Sequence, residues 1–284
     1  MIDRLLRGTL VTLLGIATTV LTAAGLVYLE LRYDCAIYGF LYGFVIPFGA
    51  MLSGFVAASG YYFGSRVLSF RPGRGLFVNM LAVSGGNFFF IYWLKYTQMK
   101  VDGEPVSKWM TFADYLGFTL THSAFTLGHS AGDRFVLGAG GYLYAALLIV
   151  GFACGGYFMF NLTRSTPYCE VCGLYMKKQG SQTRYFVRRE DLAAAFAAFK
   201  TEAERGQIRK AVEFHARTGL READETTGYS LGVEFMHCKR CGQQWLKLAP
   251  KQRVNESWNR MSDFRYESYC GERVDGMEKL AANP

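Results

Sequence analysis

The first 160 residues of this 284-residue chain are short of charge. They hold 10 Lys/Arg and 7 Asp/Glu, against 21 and 16 in the remaining 124. The deficit is deepest over residues 37–64 (IYGFLYGFVIPFGAMLSGFVAASGYYFG), which contain no Asp, Glu, Lys, Arg or His. No soluble core helix needs 28 uncharged residues in a row, whereas a membrane-crossing helix needs about 20 apolar ones. Residues 9–29, 76–94 and 135–160 are likewise free of Asp, Glu, Lys, Arg and His. Ionisable residues within spans mark ion and proton pathways, so their lack argues against a proton pump or charge-coupled transporter. No external cysteine pair is present for a quinone-linked thiol oxidase, and no acid/base pair is visible for hydrolytic chemistry.

What is there reads as four transmembrane helices. Small residues recur four apart in the central run, at Gly39/Gly43, Ala50/Gly54 and Gly60/Gly64, and again at Gly151/Gly155 in the last. Helices in lipid gain little from apolar burial, and small residues let their backbones approach closely. These glycines therefore predict tight packing within a protomer and between protomers of a homo-oligomer. The opening run is too long for the apolar region of a signal peptide and lacks a clean cleavage site, so a retained anchor is expected.

Basic residues orient the bundle. Arg4 and Arg7, the Arg66/Arg71/Arg74 loop and the segment from Arg164 onward fall on one side of a four-span arrangement. The positive-inside rule makes that side cytoplasmic, which puts both termini in the cytoplasm of an inner or plasma membrane. Residues 95–134 form the external loop. Thr111 and Asp114 have the spacing of a capping box, predicting an interfacial helix near 112–126. His122 and His129, seven apart, can share a helix face, but with no third ligand in view they read as polar residues at the headgroups. Asn79 and Asn87 lie near one face of the third span, around Gly85-Gly86, and serve either as helix-to-helix hydrogen bonds or as a polar path.

Residues 161–284 carry the chemistry. Cys169-Glu-Val-Cys172-Gly173 and Cys238-Lys-Arg-Cys241-Gly242 repeat one pattern. Two cysteines separated by two residues can aim both sulfurs at one ion, and two such turns complete a four-cysteine site whose default metal is zinc. Iron is the alternative. In a cytoplasmic domain such pairs read as metal ligands more readily than as disulfides, and no thioredoxin-like βαβ context surrounds them. The two elements resemble zinc knuckles in general, over a few residues only. A closed four-sulfur site leaves no position open for catalysis, so it implies a stapled fold; His237 beside Cys238 is not needed as a ligand.

The 65 residues between the pairs predict a hairpin at 174–188 around Gly180-Ser181 and a helical insertion at 189–218. Strands at 231–237 and 243–248 are expected to flank the second pair. The tail from residue 253 reads as polar and at most partly helical, with Trp258, Phe264, Tyr266 and Tyr269 available to dock. The expected fold is thus an α-helical membrane bundle of four transmembrane helices, residues 1–160, plus a small α+β cytoplasmic zinc-ribbon-like domain. Lys177, Lys178, Lys239 and Arg240 near the knuckles are only mildly basic in sum. They suit a protein partner or an anionic membrane surface better than nucleic acid. Three functions follow as expectations: a non-enzymatic sensor or scaffold engaging a cytoplasmic protein; a channel-like or membrane-disrupting effector, as in a toxin or antiviral module; or a lipid-handling enzyme or carrier using His122.

Overall fold

The computed structural model describes residues 2–42, 46–101, 103–122, 124–126, 134–264 and 266–270. The chain divides into two compact units, Met1–Ser165 and Thr166–Pro284.

The first unit contains α1 (Ile2–Tyr33), α2 (Phe48–Ala57), α3 (Ser59–Val67), α4 (Arg74–Gln98), α5 (Phe112–His122) and α6 (Gly140–Arg164). Two small ribbons join the later helices: β1 (Lys100–Val101) with β2 (Glu104–Pro105), and β3 (Ala124–Thr126) with β4 (Arg134–Val136). Three helices, Leu5–Tyr33, Arg74–Gln98 and Gly140–Arg164, are long and apolar enough to cross a membrane. Around the bundle many large apolar side chains point outward, among them Leu13, Leu21, Phe63, Val78, Leu143 and Val150. An extensive apolar exterior of this kind suits lipid and not water.

The uncharged run at 37–64 is not one continuous helix. It comprises a 3-10 turn at Ile37–Gly39, a reversal closed by the Tyr42–Ile46 bridge, then α2 and α3. Pro47 sets the break. It brings no N–H, and it holds the residue before it out of the helical region. The returning chain packs so closely that a Cβ at Gly49 would run into the carbonyl of Ile37.

A second interruption separates α2 from α3 at Ala58. Tyr61 donates its N–H to Ala58 O (3.1 Å), which leaves the Ala57 carbonyl without its usual partner. Thr18 and Thr19 of α1 take that place, their hydroxyls donating to Ala57 O at 2.8 and 3.3 Å. Thr18 Oγ1 in turn accepts the Gly60 N–H at 3.2 Å. Neighbouring hydroxyls are how a broken helix satisfies its backbone inside a bundle.

The other bounds also move. Helix α6 starts at Gly140, because residues 134–136 pair as β4; α5 stops at His122, because 124–126 pair as β3. The Thr111 hydroxyl accepts the Asp114 N–H at 3.3 Å and donates to its carboxylate at 2.6 Å, starting α5 where the capping pattern placed it. Helices α2 and α4 both pack on α6, and α1 packs on α3 and α4. Phe88, Ile91, Leu148 and Phe152 fill the space between them.

The second unit is built on an antiparallel sheet. Ahead of it, β5 (Tyr168–Cys169) and β6 (Leu174–Tyr175) form a short ribbon. The sheet strands are β7 (Lys177–Phe186), β8 (Tyr229–His237), β9 (Gln244–Val254) and β10 (Ser257–Arg260), in the order β10-β9-β8-β7. A further strand, β11 (Tyr266–Cys270), also pairs with β9. Between β7 and β8 the chain inserts α7 (Arg189–Glu204) and α8 (Ile208–Arg217). Leu192, Phe196 and Phe199 of α7 with Ile208 and Val212 of α8 bury against Leu231, Val233, Phe235, Leu246 and Leu248. The sheet residues alternate in sequence, as one buried face requires.

Two local expectations fail here. Residues 174–188 make no hairpin: Gly180-Ser181 sit inside β7, which runs on against β8 and absorbs Gln179 in a bulge between Lys178 and Gly180. Long-range pairing overrides the weak turn signal. The described tail is stranded, not helical, because the eleven-residue β9 offers an edge that β10 and β11 share. Asn255 and Glu256, with φ of 47° and 66°, make the two-residue turn between β9 and β10. Phe264 docks edge-on against Phe196, ring centroids 5.4 Å apart.

Candidate metal centre

Each cysteine pair sits in a tight turn closed by a glycine. The Gly173 N–H donates to Cys169 O, and the Gly242 N–H to Cys238 O, both at 2.9 Å. Gly173 and Gly242 have φ of 65° and 75°, which a side chain resists. The β5–β6 ribbon carries the first turn, and the β8–β9 connection carries the second. Cys238 donates its N–H back to Gln243 O at 2.8 Å, closing the second turn at its base.

These turns bring the four sulfurs of Cys169, Cys172, Cys238 and Cys241 within 4.8 Å of one another. Cys169 Sγ and Cys241 Sγ are 3.6 Å apart. Sulfurs each about 2.3 Å from one tetrahedral ion stand roughly 3.8 Å from each other, so the arrangement has the dimensions of a four-thiolate metal site. Cys169 and Cys238 are buried with Met176 and Trp245, while Cys241 is exposed. The residues therefore fit a metal ion.

Crowding, burial and backbone donors together set the titration of the thiols. The hydrogen bond with Cys241 comes first among the causes that push the Cys172 thiol up to about 12, followed by burial and the remaining thiols. Burial raises Cys169. Burial also raises Cys238, but backbone N–H groups of Cys241 and Arg240 outweigh it and bring that thiol down to about 7. Four adjacent thiols cannot all ionise without a cation among them, and a divalent ion removes that penalty. Gln243 supplies an outer contact: Cys169 Sγ donates to its Oε1 at 3.1 Å. Were a metal bound there, the Cys169 thiolate would accept instead, and the Gln243 side-chain amide would be the group beside it able to donate.

The other sequence-selected residues are dispersed. In the first unit, a Cβ at Gly54 would meet the backbone of Phe152, and one at Gly155 the backbone of Met51 and Phe55. A Cβ at Gly151 would stand 2.9 Å from Ala50 and Pro47. These three mesh α2 with α6. Gly60 and Gly64 lie against Leu14 and Thr18 or Val11 of α1, and Gly39 lies by the Tyr144 hydroxyl. Gly43 and His129 lie outside the described residues. His122 is exposed, its ring stacked on Phe118 at 4.1 Å. Asn79 accepts the Tyr61 hydroxyl at 2.6 Å and helps line a crevice of about 620 Å³ between α1 and α4. Asn87 is buried with neither amide atom hydrogen-bonded.

One polar cluster has no counterpart among the sequence expectations. Lys95 of α4 pairs with Glu30 of α1 and donates to the Tyr38 hydroxyl at 2.6 Å. Tyr38 donates to the other Glu30 oxygen at 2.8 Å, and the Lys95 ammonium stands 5.1 Å from the Tyr92 ring centroid. Glu30 and Lys95 each follow directly after an uncharged run that ends in leucine. Opposite charges at matching run ends are the signal that would have found the pair.

Membrane-length apolar helices joined to a strand-rich unit with a four-cysteine cluster define the class of this chain. It matches no protein-family model, no curated protein and no solved structure.

Proposed function

We propose that this is an integral membrane sensor or scaffold whose cytoplasmic unit, stapled by one zinc ion, engages a partner protein. Cys169, Cys172, Cys238 and Cys241 hold the ion. The observation that carries the reading is their convergence to within 4.8 Å in a unit continuous with membrane-length helices. Four thiolates with no open position favour a structural ion, and zinc is its default identity. In this reading the bilayer is crossed four times, with 48–67 as the interrupted crossing. The basic loops then orient both termini toward the cytoplasm.

Elemental analysis of the purified protein tests the centre: one zinc per chain is expected, and none after Cys169→Ser with Cys172→Ser. The same variant is expected to insert in the membrane yet lose cross-linking to its cytoplasmic partner. Partner capture that persists with the second unit unfolded overturns the scaffold reading.

Asn87 favours a second reading, an oligomeric channel-like effector. A buried amide with no hydrogen bond in a lipid-embedded bundle suits a polar path. Ion flux from proteoliposomes that is lost on Asn87→Leu supports this alternative, and tight vesicles remove it.

A further inference from the structure

The two ends of the helical bundle settle their charge differently. At one end Lys95 meets Glu30. At the other, where α1 and α4 begin, the sequence sets Arg4, Arg7, Arg66, Arg71 and Arg74 against a single acid, Asp3. Arg74 opens α4 and is exposed, and the first turn of that helix holds no acid. Among the described residues Arg74 makes no ion pair.

The crevice of about 620 Å³ between α1 and α4 starts at this end. Its size is within the roughly 300–1,000 Å³ of pockets that hold a ligand. The loop before α4 shapes it. Ser69 takes a left-handed φ of 51°, and Phe70 donates its N–H to Ser65 O at 2.8 Å, which ends α3 and carries the chain to α1. A Cβ at Gly8 would stand 3.2 Å from the Phe70 ring, so the ring rests on the α1 backbone. Arg7 holds the same loop, donating to Leu68 O at 3.5 Å. Along α1 the wall continues through Thr9, Thr12 and Leu13, spaced as one helix face requires. A Cβ at Gly75 would meet nothing within 4 Å, so the mouth beside Arg74 is open.

Deeper in, Asn79 of α4 lines the crevice. Its Oδ1 accepts the Tyr61 hydroxyl at 2.6 Å, which leaves its Nδ2 as the amide atom that donates. In lipid that donor needs a carbonyl, which hydrocarbon cannot supply. Arg74 and Asn79 are separated by about 7–8 Å of helical rise. The crevice thus offers a cation at its mouth, an amide donor one turn further in, and an apolar wall at Leu13. A glycerophospholipid presents a phosphate, ester carbonyls and hydrocarbon in the same order.

We propose that this crevice holds one anionic glycerophospholipid, with its phosphate at Arg74, an ester carbonyl on the Asn79 amide and the start of an acyl chain along Leu13. Basic pockets between membrane helices are known homes for such headgroups. The inference rests on the bundle lying in a bilayer and not on partner capture, and it shares no residue with the cysteine centre.

The test is native mass spectrometry of the full-length protein in mild detergent, titrated with phosphatidylglycerol and separately with phosphatidylcholine of the same acyl chains. One phosphatidylglycerol per chain is expected, held about fivefold more tightly than phosphatidylcholine, the worth of one basic residue beside an anionic headgroup. Arg74→Gln should remove that preference and leave phosphatidylcholine unchanged. Gly75→Phe should fill the crevice and release both lipids. Should Gly75→Phe fail to fold, the exposed Arg74→Gln still decides. Equal retention of the two lipids by the wild type, or a preference unchanged in Arg74→Gln, overturns the proposal. Displacement of the lipid by inorganic phosphate also overturns it, because the arginine then serves a free anion. Zinc content in the same samples separates this outcome from the fate of the metal centre.

Discussion

At the scale of single residues, His215 makes the sharpest claim. Burial is the main reason its imidazole takes a proton only near pH 4 instead of 6.5, and the Arg184 charge adds to it. The unfolded chain binds that proton at 6.5 and the folded chain does not. Stability therefore holds above pH 6.5, falls as pH drops toward 4, and levels off below. The loss is about 3 kcal/mol by proton linkage. Hydrogen exchange of the β8 amides should record that slope in the wild type and a shallower one in His215→Gln, which cannot titrate. Equal slopes would mean the ring is accessible to protons in the native state. The residue scale is also where a linear reading succeeds and fails most plainly. Cys169, Cys172, Cys238 and Cys241 are legible because two ligands on one turn impose a fixed spacing that little else in a sequence imitates. Glu30 and Lys95 are legible only at the ends of two uncharged runs, where a count made within the runs does not look. Arg184 is hidden: nothing in the pattern of residues 177–186 says that a guanidinium faces the core.

Elements obey a different logic, since a helix in a bundle is judged by what its backbone touches. Gly54 and Gly86 make a controlled comparison. A Cβ at Gly54 would run into the Phe152 backbone, whereas one at Gly86 would meet nothing within 4 Å. Gly54→Ala should therefore destabilise the detergent-solubilised protein by about 1–3 kcal/mol through overpacking. Gly86→Ala should be neutral, or stabilising by up to about 1 kcal/mol through helix propensity. Thermal unfolding of the two variants checks both signs at once, and an equal response would deny that the α2–α6 approach is close. The interruption of residues 37–64 belongs to this scale too. Absence of charge reports on the surrounding solvent and says nothing about backbone continuity. Pro47 is the local sign of the first break. The second, at Ala58, depends on hydroxyls of Thr18 and Thr19, 39 and 38 positions from the carbonyl they reach. In β7, by contrast, Gly180-Ser181 looks like a turn because the nine-residue partner strand β8 cannot be seen from the dipeptide.

For the whole molecule, the division into two contact units sets the expected response to losing the metal. A chelator that strips the proposed ion should unfasten the β5–β6 ribbon from the β8–β9 turn and expose their amides to exchange. Amides of α1, α4 and α6 should keep their protection, because no cysteine of the centre lies among them. Simultaneous loss in both units would show one cooperative fold instead of two. The long interval between the knuckles also bears on how the protein is made. Cys169 and Cys241 are 72 positions apart, and a ribosome adding about 5–20 residues per second needs roughly 4–14 s to cover that distance. During that time the first pair of thiols emerges with half a ligand set, reactive toward oxidants and stray metals. Slow translation prolongs the exposure, so synthesis, more than the endurance of the finished fold, is the stage at which oxidative stress would deplete this protein.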